Sequence, residues 1–442
     1  MRQLAWIALL SVMLPAAQAQ ESAQEPLVAA DAFHAPDRQL EELIGVLLEE
    51  NPEILSARAQ SRSSLERVPQ RKSLPDPLLR YRYYVQTPET RVGPQQHGLE
   101  LSQSVPWFGK RDLEAERAAH EAAAVAWRVQ GLARSLVAEL KRSYFEAGYL
   151  QEALAVNAEQ ADSLRRFEQI ALTRYSTGEG NQQSVIQVQT DISRLADRRS
   201  ALRHRLHSVT HSMTRLLGRP EARLTLDPIS LDLEGVHYQW RTLEQESVYF
   251  HPAVRALQKG IEADGVWLRR RQLDRRPDFR FELGYVFVDE RDDPAAAISP
   301  PQDDGQDIWS VGVAISLPIH RKRTRAGVAE AQERLHSDEY ALLTAQNHLR
   351  HAIHESILRL ESIKDRARLY EEVIIPQAEK SLASAETAYT TNRQDFLGLL
   401  DVESVLFEVR LSYHRLLADY WVALADLEHG LGRRFPAEGD EG

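Results

Sequence analysis

From Phe279 the side chains alternate: Phe279, Phe281, Leu283, Tyr285 and Phe287 share one face, while Arg280, Glu282 and Gly284 share the other. Trp309, Val311, Val313, Ile315 and Leu317 repeat the pattern against Ser310, Gly312, Ala314 and Ser316. Earlier, Tyr81, Tyr83 and Val85 oppose Arg80, Arg82 and Tyr84, and Leu99 and Leu101 oppose Glu100 and Ser102. A period of two residues is a strand with one apolar and one polar side. Each segment is about ten residues long, as a tilted strand needs in order to cross a bilayer. A soluble sandwich with one buried face alternates in the same way. Four strands in 442 residues are too few for a sandwich of that size, and too few to close a barrel, which takes about eight. Lipid does not hydrate an open strand edge, so several copies must pool their strands in one barrel. The polar, turn-rich connections 88–94 and 289–307 then become external loops.

The N-terminus agrees with export. Met1 and Arg2, an apolar run from Leu4 to Leu14 and the small-x-small Ala17-Gln18-Ala19 read as a signal peptide over 1–19, with a mature chain beginning near Gln20. No other apolar stretch approaches the roughly 20 residues of a spanning helix, so membrane insertion must use strands. The chain has no cysteine, which excludes disulfides, a thiolate metal site and a lipid-accepting Cys. A formal net charge of −11 with interspersed signs excludes a nucleic-acid surface, which needs a basic face. A mean hydropathy of −0.43 suits a mostly hydrated protein of which only a small part enters lipid.

The chain is written twice. Asn51-Pro52 recurs as His251-Pro252, Pro75-Asp76 as Pro277-Asp278, Ser104-Val105-Pro106 as Ser316-Leu317-Pro318, Tyr175 as Tyr389, and Leu217-Gly218-Arg219 as Leu431-Gly432-Arg433. The first repeat spans 39–219, with strands near 77–87 and 97–105 and a tip turn near 176–182. The second spans 241–433, with strands near 278–288 and 308–317 and a tip turn near 390–394. A 20–38 extension, a 220–240 linker with room for one short strand, and a 434–442 tail complete the chain.

The rest reads as helix. From Lys110 to about Tyr175 there is no proline, and Ala, Leu, Glu, Arg and Gln dominate; at 1.5 Å per residue this is on the order of 100 Å. Its counterpart runs from about Lys322 to Tyr389, where Ile353, Ile357, Leu360, Ile363, Ala367, Tyr370 and Ile374 make a coiled-coil seam. Pro376 should kink or divide that helix near Ile375. Shorter helices are expected over about Gln39 to Val68, Gln182 to Leu217, Leu243 to Leu273 and Asp395 to Leu431.

Assembled in this order, the chain resembles the TolC family of outer-membrane efflux proteins over essentially its whole mature length. The residues that carry the likeness are Leu74-Pro75-Asp76-Pro77, the strand exit from Ser102 to Lys110, the turn Arg174-Tyr175-Ser176-Thr177-Gly178, and Ile375-Pro376-Gln377-Ala378-Glu379. The resemblance implies a mainly α fold with a small transmembrane β part: long coiled-coil helices in a periplasmic α-barrel, and four strands per chain in a 12-stranded trimeric β-barrel. It further implies a homotrimer in the outer membrane of a Gram-negative bacterium, docked to a periplasmic adaptor (membrane fusion protein) and an inner-membrane RND-type pump. The Pro106-Trp107-Phe108-Gly109-Lys110 exit is more similar to the heavy-metal branch than to drug-efflux or type I protein-secretion channels, which stay as alternatives. A periplasmic coiled-coil adaptor is the alternative of another class, but it leaves the four amphiphilic strands unexplained and should carry a glycine-rich lipoyl-like region.

The same resemblance places Asp401 at an acidic pore aperture, Ser184 where the best-known members are acidic, and Gln394 where they carry a basic gate residue. It assigns Tyr175, Gly178, Gly180, Tyr389 and Asn392 to the tip turns that meet the adaptor, with Asn392 standing where Gly is usual. The alternation gives a lipid-facing set of Phe279, Phe281, Leu283, Tyr285, Trp309, Val311, Val313 and Ile315. His204, His207 and His211 lie at i, i+3 and i+7 on a helix and offer a weak metal-binding face, although the flanking Arg203 and Arg205 oppose a cation and a solvated face is the commoner meaning. His351 and His354 are weighed the same way. No HExxH, phosphate-cradling loop, nucleophile elbow or supported carboxylate pair appears, so neither an enzyme nor a cofactor is expected.

Overall fold

The computed structural model describes residues 33–233, 247–291, 294, 298–299, 301–391 and 393–433. The signal peptide, most of the extension, part of the linker, the C-terminal tail and Asn392 lie outside the described residues. The chain divides into two compact units.

One unit, Gln60–Val125 with Ala256–Leu343, holds the sheet. Strands β1 (Leu78–Tyr83), β2 (Glu89–Thr90), β3 (Gly93–Val105), β4 (Phe279–Val288) and β5 (Ile308–Ile315) are antiparallel, in the order β1-β3-β4-β5 with β2 paired to β3. Strands of the two repeats therefore meet at the β3–β4 pair. The first-repeat strands differ from the sequence expectation. Strand β1 stops at Tyr83, leaving Val85 outside it and 92% exposed, and β3 starts four residues early. The cause is a small hairpin: Thr90 pairs with Gly93, its hydroxyl donates to the Gly93 carbonyl at 2.7 Å, and Gly93 takes a φ of 122° closed to other residues.

The strand exits converge below the sheet. Asp278, just before β4, accepts from the Trp107 amide at 2.7 Å and from Lys110 Nζ at 2.8 Å, and its own amide donates to Ser316 Oγ at 2.8 Å. The second-repeat landmarks Asp278 and Ser316 are thus tied to the first strand exit in one hydrogen-bonded knot.

The other unit draws on described residues of Met1–Ala59, Ala126–Arg255 and Thr344–Gly442. Among the described residues the main helices are α1 (Arg38–Glu50), α2 (Pro52–Leu65), α3 (Arg67–Lys72), α4 (Lys110–Ser176), α5 (Gln182–Leu216), α6 (Pro252–Gln272), α7 (Arg321–Leu369), α8 (Ile375–Thr390) and α9 (Phe396–Leu431). Helix α4 runs unbroken for 67 residues, as its proline-free, Ala- and Leu-rich composition favours. In the core of this unit Leu40, Ile44 and Leu47 of α1 meet Leu140, Tyr144 and Phe145 of α4 and Leu417, Trp421 and Leu424 of α9. The expected α7 seam is in this core, with Ile353, Ile357, Leu360, Ile363 and Ala367 all buried. A π-helical segment, Tyr370–Ile374, separates α7 from α8 directly ahead of Pro376, whose missing N–H cannot continue the α ladder. The linker crosses α4 where Gly148 leaves room: a Cβ there would meet Ile229 at 3.0 Å. No strand is present in its described part, 220–233.

The single helix expected from Gln39 to Val68 is three. Asn51 is extended, with a ψ of 123°, because the ring of Pro52 excludes the helical conformation from the residue before it. Its side chain then caps α2, accepting from Glu53 N at 2.8 Å and Ile54 N at 3.1 Å. In the second repeat His251 interrupts the helix expected from Leu243 to Leu273, and α6 begins at Pro252.

Candidate functional site at the helical tip

Two hairpins, α4–α5 and α8–α9, end in the tip turns. In the first, Gly178 takes a φ of 77°, the amides of Glu179 and Gly180 donate to the Arg174 carbonyl at 2.9 and 3.0 Å, and Asn181 caps α5. Gly180 lies so close that a Cβ would stand 3.1 Å from Arg174 Cβ. Asn181 Oδ1 accepts from both the amide and the hydroxyl of Ser184, at 2.9 and 2.7 Å, so the Ser184 hydroxyl is engaged in the cap. In the second turn the Arg393 amide donates to the Ala388 carbonyl at 2.8 Å, and Asp395 caps α9 through the Gly398 amide at 3.1 Å.

The matching tyrosines are used differently. Tyr175 is exposed, whereas Tyr389 is buried, with its ring 5.5 Å from that of Phe396. Arg174 ties the hairpins together: its guanidinium lies 4.3 Å from the centre of the Tyr389 ring and donates to the Tyr389 carbonyl at 3.0 Å. Around this clasp, Leu164, Phe167, Ala171, Val185, Val188 and Leu195 of the first hairpin pack with Ala385, Tyr389, Phe396, Leu399 and Leu400 of the second.

Asp401 follows on α9 as an exposed carboxylate. Arg410, farther along the same helix, pairs with Glu159 at 3.1 Å and Glu379 at 2.8 Å. Two residues beyond Asp401, Glu403 is 1% exposed. Gln160 Nε2 donates to its Oε2 at 3.3 Å, Ser163 lies alongside, and Oε1 has no hydrogen-bond donor. Burial pushes this carboxyl up to about 7, against the hydrogen bonds from Gln160 and Ser163 and with the help of nearby Asp191. The sequence marks Arg174 only as the start of the turn motif, with no clasping role, and does not mark Glu403. The adjacency of Arg174 to Tyr175 in the turn motif was the available signal for the first; the second carried none.

His204, His207 and His211 are exposed on α5, and Arg205 beside them pairs with Glu146 at 2.7 Å. Among the described residues no three His, Cys, Asp or Glu side chains are grouped to hold a metal ion.

In the sheet unit, the register aligns the alternating faces across strands. Leu79, Leu101, Leu283 and Val311 form one row and Tyr81, Leu99, Tyr285 and Trp309 the next, followed by Phe281 with Val313 and Phe279 with Ile315. The opposite face carries Arg80, Glu100, Gly284 and Ser310 in one row and Ser102, Glu282 and Gly312 in another. Every residue of the row from Leu79 to Val311 is more than a third exposed, with Val311 at 73%. A contiguous apolar face on this scale needs lipid or protein to cover it.

No protein-family model matches the chain. A curated relative, the cobalt-zinc-cadmium resistance protein CzcC of Cupriavidus metallidurans, is 24% identical over 396 residues, covering 86% of each chain. Among solved structures, CusC superposes with a TM-score of 0.74 at 16% identity over 91% of this chain and 94% of its own. The outer membrane protein VceC of Vibrio cholerae gives 0.73 at 17% identity over 90% and 97%. The open MtrE outer membrane channel of Neisseria gonorrhoeae gives 0.73 at 17% identity over 91% of both.

Proposed function

We infer that this chain, which has the fold of the TolC family of outer-membrane channels, is the outer-membrane channel subunit of a tripartite efflux system that exports heavy-metal cations. The observation that carries the reading is a four-stranded sheet with an exposed apolar face whose outer strands, β1 and β5, have one free edge each among the described residues, in one chain with a helical tip. Lipid covers the apolar face. Three copies joined edge to edge supply twelve strands and leave no edge open. The metal cargo is supported by the likeness to a cobalt-zinc-cadmium resistance protein over 86% of the chain and by the Trp107-Phe108-Gly109-Lys110 strand exit.

The cargo moves through the bore without chemical change, so the chain works as a conduit and not as an enzyme. An inner-membrane RND-type pump supplies the drive, and an adaptor meets the tip turns around Tyr175, Gly178, Gly180, Tyr389 and Asn392. Asp401 and Ser184 line the periplasmic aperture. Three copies of Asp401 around an axis would repel one another and favour cations at the ring.

Deleting the gene in its host should lower tolerance to cobalt, zinc or cadmium, with tolerance to dyes and detergents retained. The reverse pattern would replace metal by drug efflux. For the aperture, Asp401→Asn channels in planar bilayers should lose cation selectivity and block by multivalent cations while remaining trimeric. Selectivity equal to the parent would remove Asp401 from the constriction.

A further inference from the structure

The seam between the two hairpins is apolar on both sides of one polar layer. On the tip side stand Leu164, Phe167, Leu399 and Leu400; on the other stand Ala153, Val156, Phe407 and Leu411. The layer between them holds Glu403 of α9 with Gln160, Ser163 and Asn157 of α4, all buried. Asn157 is satisfied by the Leu195 carbonyl at 3.3 Å. Glu403 is the one charged residue type in the layer, and its Oε1 faces no donor.

We propose that Glu403 is a proton-controlled latch between the α4–α5 and α8–α9 hairpins: neutral, it lets them pack, and ionised, it loosens the seam by demanding water. An anion with one bare oxygen in an apolar seam pays a desolvation penalty that the hydrogen bonds from Gln160 and Ser163 offset only in part, whereas the neutral carboxyl escapes it. The surrounding charges do not rescue it. From α4, Glu159 is held by Arg410, and Asp162 pairs with Arg165 at 2.6 Å. From α5, Asp191 adds negative charge, tempered by Arg194 at 3.2 Å. From α8, Glu379 is taken by Arg410, and Lys380 and Glu386 are exposed. On α9 itself Asp401 is exposed.

The carboxyl is held near 7 against an ordinary value of 4.5. A raised carboxyl makes the packed form bind the proton more tightly than the loosened one, so packing weakens as pH rises toward and through 7. As regulation of a channel mouth this rests on the function proposed above, whereas the seam and its proton do not. Amide hydrogen exchange therefore reads it directly, on the full chain in detergent micelles at pH 6 and pH 8, with rates corrected for intrinsic pH dependence. In the parent, α4 over 157–164 and α9 over 399–407 should lose about tenfold in protection between the two values. Glu403→Gln should lose none. Glu403→Leu, which refills the seam with apolar volume, should be equally indifferent to pH and stands in if the Gln variant does not assemble. Parent and variants changing by the same factor would overturn the latch, and so would a parent that does not change.

Discussion

The chain turns the same corner twice, and the two corners share a backbone while differing in side-chain chemistry. After α5, Gly218 (φ 73°) lies against Glu50 and Pro52; after α9, Gly432 (φ 69°) lies against His251 and Pro252. At the first corner Asn51 caps α2 and donates from Nδ2 to the Leu216 carbonyl at 2.7 Å. At the second, His251 accepts the Ala253 amide on Nδ1 at 3.2 Å, with its ring 6.4 Å from that of His429. Duplication has kept what the backbone needs, a residue able to take positive φ where the chain passes close to a proline-started helix. It has let the capping acceptor change from an amide, which has no proton to gain, to an imidazole, which does.

Acid should separate the corners most strongly. Burial, then the charges of His429 and Arg134, push His251 down to about 4 from 6.5. The unfolded chain therefore binds the proton first, so the stability contributed by neutral His251 is complete above about 6.5 and is lost as pH falls through about 4. The loss is up to about 3 kcal/mol, since protonation also removes the Nδ1 acceptor. Unfolding midpoints in detergent should fall over this window, the first turn of α6 should lose exchange protection before that of α2, and His251→Asn should flatten the response. Parallel loss in both turns would mean that the cap chemistry is not the cause.

A smaller effect should be common to both corners. Gly218→Ala and Gly432→Ala each force a Cβ into positive φ, 2.7 Å from the Glu50 carbonyl oxygen and 2.9 Å from His251 Cα respectively. Each should cost about 2 kcal/mol, measured as a lower unfolding midpoint at neutral pH. A cost at only one position would show that the two backbones are less alike than their geometry suggests.

The sequence made the corners visible through Asn51-Pro52 and His251-Pro252, but the apolar spacing of α1 runs on through Ile54, and that hides the break between α1 and α2. The strands were legible because an exposed apolar face backed by a polar one alternates strictly from Phe279 to Phe287. The early start of β3 was not, since Gly93-Pro94-Gln95-Gln96 carries no alternation and is held by partners in β2 and β4. At the tip, Gly178 advertised its turn through its own conformational freedom. Glu403 did not: an acid between Val402 and Ser404 on a long helix reads as a solvated face. The residues that bond to it, Gln160 and Ser163, lie some 240 residues earlier in the sequence.

Aromatic rings bracket the apolar face of the sheet at both ends. At the helical end Trp107 stacks on Phe279 at 5.8 Å; at the loop end Tyr83, His97 and Phe287 cluster, with rings 5.3 and 6.3 Å apart. Eight residue steps along β4 separate Phe279 from Phe287, about 27 Å along the strand and about 20 Å of depth once tilted by about 40°. Indole and phenol rings settle at the level of lipid headgroups. In the channel proposed above, these rings would act as a depth gauge cut for a hydrocarbon layer thinner than average, as that of the bacterial outer membrane is.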